Sequence, residues 1–77
     1  MHYQQGDKYK AIADYNQMMR FEPKNPIIYY NRGLVYFSLK NMQNAENDFK
    51  KAAELFQQQG NDSYYQNILN KIRTMQR

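Results

Sequence analysis

Shifted by 34 residues against itself, the chain matches its own second half: Ala11 falls on Ala45, Asp14 on Asp48, Tyr15 on Phe49, Met18 on Ala52 and Phe21 on Leu55. The matched residues recur at steps of three, four and seven, the spacing of one helical face. A period of this length belongs to units that pair two helices around a turn. One such unit cannot bury its own apolar face, so the chain is constrained to a stack in which each helix borrows its core from its neighbours.

The second copy of this face is the fuller one. Met42, Ala45, Phe49, Ala52, Ala53 and Phe56 form an apolar stripe, while Asn47, Lys50, Lys51 and Glu54 take the opposite side, which describes a half-buried helix. Upstream, Asn25-Pro26 is a helix start: an Asn side chain accepts an orphan N–H, and Pro fits the first turn because its missing donor is not needed there. The helix it opens runs to about Leu39. Its apolar residues, from Ile27 to Leu39, surround the axis, so it needs neighbours on several sides. Gly33 in its middle costs about 1 kcal/mol relative to Ala, a cost that close approach of another helix would offset.

Lys40-Asn41 is a short turn, and so short a link sets the two helices antiparallel. Gly60 ends the later helix. Asn61 or Asp62 then caps a last one, in which Tyr65, Ile68, Leu69, Ile72 and Met75 form a stripe and Asn67, Asn70, Lys71 and Arg73 look outward. The expected fold is therefore all-α, with about four helices.

A chain of 77 residues is one small domain near the lower limit for a self-sufficient core. It holds no cysteine, which removes disulfides, thiolate metal sites and a cysteine nucleophile. No stretch approaches the roughly 20 apolar residues that span a bilayer, and the start lacks the charged and apolar regions of a secretory signal. A cytoplasmic location with no membrane partner is the resulting expectation. The net charge of +4 is spread among both signs through most of the chain, giving no continuous basic stripe for nucleic acid. The exception is the tail, where Lys71, Arg73 and Arg77 follow the last acid, Asp62. Cations there first of all complement a helix C-terminus.

These residues resemble the tetratricopeptide repeat, whose pattern sets W-x2-L-G-x2-Y on one helix and A-x3-F, with a later Pro, on the next. Tyr29, Gly33 and Tyr36 stand on the first part, Ala45 and Phe49 on A-x3-F, and Ala52 on a further small position. Upstream, Ala11, Tyr15 and Pro23 supply a partial copy. The resemblance implies a fragment of a right-handed α-solenoid built of antiparallel helix-turn-helix repeats. It divides the chain into a partial repeat at residues 1–25, a complete one at 26–60 and a capping helix at 61–77, with Gly33 meeting Ala45 where the helices cross. Two positions depart from the pattern. Gln57 replaces a Pro, which suits a helix continuing towards Gly60. Arg32 replaces the Leu, and on so apolar a helix it should pair with Asp14 or Asp48.

The resemblance further implies a concave surface lined by the first helix of each repeat, which turns Ile27, Tyr30, Asn31, Leu34, Phe37 and Ser38 towards a peptide or partner protein. Aromatic residues give large contact area with few rotors, and Asn31 can donate to and accept from a peptide backbone. Some family members clamp carboxylates with an Asn at this place and basic residues on adjacent repeats. Here the final helix offers Asn61 and Tyr65 instead, so such a clamp is not expected. Packing against neighbouring helices is the plainer role for about half of these six residues. The first helix of the first repeat is missing, leaving Tyr3, Ala11, Tyr15 and Met18 as an apolar patch that a second copy would cover in a homodimer, or that a longer array would fill.

Catalysis finds no support. His2 stands alone, Ser38 and Ser63 have no evident base, and the carboxylates Glu46, Asp48 and Glu54 read as helix faces. No phosphate loop is present, and no enzyme activity, metal or cofactor is expected. The leading expectation is a protein-interaction module with a peptide groove. The alternatives are a self-associating structural unit and, more weakly, nucleic-acid contact through the basic tail.

Overall fold

The computed structural model describes residues 5–75. His2, Tyr3 and Arg77 lie outside them. Four helices follow one another: α1 (Gln5–Phe21), α2 (Pro26–Ser38), α3 (Met42–Gln58) and α4 (Asp62–Met75). No strand occurs among the described residues.

The boundaries have local causes. The Asn25 side chain accepts a hydrogen bond from the Ile27 N–H at 3.0 Å, and Pro26 occupies the first turn of α2. Both α2 and α3 end in the same device. Lys40 N–H donates to the Phe37 carbonyl and Asn41 N–H to Tyr36, each at 2.9 Å; Gly60 N–H donates to Gln57 at 3.0 Å and Asn61 N–H to Phe56 at 2.8 Å. This paired closure needs a left-handed residue, supplied by Lys40 at φ 62° and by Gly60 at φ 75°. The turn after α3 brings the chain back: Gln59 Nε2 donates to the Lys24 carbonyl at 3.0 Å, so the end of α3 lies beside the start of α2 and the pair is antiparallel.

Each helix packs on the next in chain order. The core is built on α3, from which Ala45, Phe49, Ala52, Ala53 and Phe56 meet Ile68 and Ile72 of α4. Tyr29, Tyr30 and Tyr36 of α2 close it from the other side. Complete burial of a side chain such as Phe49 or Ile68 is worth about 1.5–3 kcal/mol, and the Tyr30 and Phe49 rings add a tilted contact at 5.6 Å. Met42, counted in the α3 stripe from the sequence, lies outside this core and is exposed.

Of two expectations for α2, the close approach at Gly33 is met and the enclosure of the helix is corrected. Gly33 does permit close approach of α3: a Cβ at residue 33 would lie 2.8 Å from Phe49 Cε1 and 3.2 Å from Asp48 Cβ. The helix is also less enclosed than its composition suggests. Pro26, Ile28 and Gly33 are buried, whereas Ile27, Leu34 and Phe37 are exposed.

Candidate interaction surface

Arg32 fixes the orientation of α2. Its Nε and Nη2 donate to the two carboxylate oxygens of Asp48 on α3, at 2.7 and 2.6 Å, and its Nη1 donates to Asn16 Oδ1 on α1 at 2.7 Å. Of the two acids considered from the sequence, Asp48 is the partner. The place beside α1 goes to the neutral Asn16 and not to Asp14. One guanidinium thus joins three helices in the forked geometry that suits Arg. It also lies 5.9 Å from the Tyr29 ring centroid and 5.7 Å from that of Tyr36. Its pKa is raised, first by the hydrogen bond to Asp48 and then by that carboxylate's charge, against the opposing effect of burial.

With α2 held in this way, the six residues assigned to a groove distribute over three hollows. Ile27, Tyr30 and Asn31 line the first together with Phe56 of α3 and Tyr64, Asn67 and Ile68 of α4, around about 330 Å³. Phe37 lines a second, of about 370 Å³, with Asn67, Asn70, Lys71, Thr74 and Met75 of α4. Asn67 belongs to both, so the two form one seam between α2 and α4. Leu34 and Ser38 do not join it. They open towards α1, in a hollow shared with Asp7, Lys8, Ala11, Tyr15 and Val35. The Ser38 hydroxyl donates to the Val35 carbonyl at 2.7 Å.

The seam has a definite chemistry. Apolar area comes from Ile27, Phe37 and Tyr64, which are 56%, 42% and 55% exposed, with Tyr64 stacked on Phe56 at 4.9 Å. Amide groups come from Asn31, Asn67 and Asn70, and no carboxylate lines either hollow. The cation is Lys71, whose Nζ stands 6.0 Å from the Tyr30 ring centroid and 5.9 Å from that of Phe49. From the sequence, Lys71 reads with Arg73 and Arg77 as a basic tail and Asn67 only as an outward-facing residue of the last helix, while Tyr64 draws no notice. The signal lay in α4 itself: Tyr64, Asn67, Lys71 and Thr74 recur at helical spacing on the flank beside the buried Ile68 and Ile72.

Of the apolar patch assigned near the N-terminus, Tyr3 lies outside the described residues. Ala11 and Tyr15 are half-buried on α1, and Met18 is 48% exposed.

Helices stacked one on the next in chain order, with a groove-like seam between alternate members, define a helical-repeat protein. A sequence model of the TPR repeat matches residues 1–40, more than half of the chain, and a model of the tetratricopeptide repeat matches residues 26–59. The chain belongs to the tetratricopeptide repeat family. No curated protein and no solved structure matched it. Repeats of this family typically mediate protein–protein interaction. No helix among the described residues is long and apolar enough to cross a membrane.

Proposed function

We propose that the chain is a protein-interaction module that holds an extended peptide along the seam between α2 and α4, with an acidic side chain of that peptide placed at Lys71. The observation that carries this reading is the composition of the seam: exposed aromatic and aliphatic side chains, three Asn amides and one cation, with no carboxylate along it. An extended backbone leaves its N–H and C=O groups unpaired, and Asn side chains satisfy both kinds. Rigid aromatic rings add contact area at little entropic cost.

Selection of an unbiased displayed peptide library on the wild-type domain tests the proposal. Selected peptides are expected to carry an acidic residue beside apolar ones. They should lose affinity for a Tyr30→Ala, Phe37→Ala variant whose helical circular dichroism is unchanged. Equal binding to that variant and to the wild type would refute the groove.

A further inference from the structure

The two hollows of the α2 and α4 seam differ in chemistry. In the first, Tyr30, Phe56 and Tyr64 present three aromatic rings beside Ile27 and Ile68, and no charged side chain lines it. Phe56 and Ile68 are buried in the core, whereas Ile27 and Tyr64 are more than half exposed. In the second, Lys71 is the one charged group in the lining. The two lie close together. Asn67 lines both, and Lys71 follows it one helical turn later, about 6 Å along α4. The Lys71 Nζ also stands 6.0 Å from the centroid of Tyr30, a ring that lines the first hollow.

That separation sets a register for a peptide lying across both hollows. An extended chain advances about 3.3 Å per residue and turns successive side chains to opposite faces. Neighbouring positions therefore diverge, positions two apart share a face about 7 Å from one another, and positions four apart stand about 13 Å apart. We infer that the hollow walled by Tyr30, Phe56 and Tyr64 takes an aromatic side chain of the bound peptide, and that this anchor stands two positions from the acid paired with Lys71. The inference rests on the peptide-binding reading of the seam and adds to it the anchor and its spacing. Three rings call for a fourth, because aromatic side chains gain from offset and edge-on contacts beyond the area they bury. The uncharged lining turns the acid away, since a carboxylate there would lose water without gaining a countercharge. Asn31 and Asn67 supply donors and acceptors to the peptide backbone on either side of the anchor.

Ten-residue peptides of Ser and Thr, carrying one Phe and one Glu at separations of one to five positions in both orders, are the probes, with Phe-only and Glu-only peptides as controls. Fluorescence anisotropy with the full chain should show separation two binding at least about tenfold more tightly than every other separation, the scale of losing one buried anchor or one charge-assisted hydrogen bond. Tyr64→Ala with Ile27→Gln, two exposed positions whose replacement should leave the helical circular dichroism unchanged, should erase the advantage over the Glu-only peptide. Lys71→Gln should erase the advantage over the Phe-only peptide. Equal affinity at every separation, or a Phe preference that survives Tyr64→Ala with Ile27→Gln, would overturn the inference and leave the seam as the binding site. Absence of binding by every probe would overturn it too, and the library selection on the same chain then shows whether the seam takes peptides of another kind. Binding indifferent to Tyr30→Ala with Phe37→Ala would remove both readings, because the peptide would then lie elsewhere.

Discussion

Gly33 and Phe49 stand so close that any side chain on the glycine must displace the ring: a Cβ would lie 2.8 Å from Phe49 Cε1 and 2.9 Å from Cδ1. The ring has nowhere to go, since Phe49 is fully buried among Ala45, Ala52 and Ile68. Two effects oppose each other in Gly33→Ala. Helix propensity gains about 1 kcal/mol, whereas overpacking a tight core costs about 1–3 kcal/mol. With backbone on one side and a fully buried ring on the other, the steric effect wins. The variant should unfold at a lower temperature than the wild type, by about 4–8 °C per net kcal/mol for a domain of this size, as followed by circular dichroism.

The Arg32–Asp48 pair should weigh more heavily than its single ion pair suggests, because its loss unties three helices. Asp48→Asn leaves a guanidinium that is 21% exposed without its countercharge, and breaking such a pair costs about 3–5 kcal/mol when fully buried. A loss at the low end of that range is expected in urea titrations. Removing both charges, as Arg32→Met with Asp48→Met, should recover much of it, since well-packed apolar replacements of buried pairs are often neutral. The pH dependence has a definite sign. The folded-state pKa of Arg32 is raised, so its contribution is complete below the unfolded-state value and is lost only as pH rises through the higher folded one. Between neutral and moderately alkaline pH, the wild-type minus Arg32→Met stability difference should therefore stay flat.

The residues that were legible from sequence are those whose role is set by neighbours along the chain. Asn25 and Gly60 are local punctuation, and the Ala45 and Phe49 stripe is periodicity. What pairs across space was less legible. Gly33 announced a close approach, but which ring it meets depends on how α2 is rolled, and Arg32 holds that roll by reaching Asp48 and Asn16 together. The same roll turns Leu34 and Ser38 towards α1 and leaves Phe37 facing α4, so one sequence stripe serves two surfaces. Lys71 looked like a tail charge because its aromatic neighbours, Tyr30 and Phe49, lie on other helices.

Lys71 offers a separation of binding from folding. Its contacts with the Tyr30 and Phe49 rings are at the outer limit of a cation–π interaction, worth about 0.5–1 kcal/mol where water reaches the charge. Lys71→Gln should therefore shift the unfolding midpoint only slightly. For peptides selected on the seam it should weaken binding about tenfold, the scale of one charge-assisted hydrogen bond, and reduce the sensitivity of that binding to salt. Isothermal titration at two ionic strengths checks both. An unchanged affinity would place the acidic side chain elsewhere.

The matching ends of α2 and α3 form an internal experiment on backbone strain. Both helices close through the same pair of hydrogen bonds around a left-handed residue, which is Lys40 in one and Gly60 in the other. An L side chain in that conformation costs about 1–2 kcal/mol, so Lys40→Gly should stabilise the fold. The gain is reduced by the greater freedom of glycine in the unfolded chain, an effect of about 0.4–1 kcal/mol. Gly60→Ala should destabilise for the reciprocal reason, and for no other, since nothing lies within 4 Å of a Cβ at residue 60. Chemical denaturation of both variants should thus move the midpoint in opposite directions with unchanged slope, the slope reporting that the surface exposed on unfolding is the same. A Gly33→Ala variant measured beside them separates the two uses of glycine in this chain: at residue 60 the constraint is the dihedral angle, and at residue 33 it is the ring of Phe49.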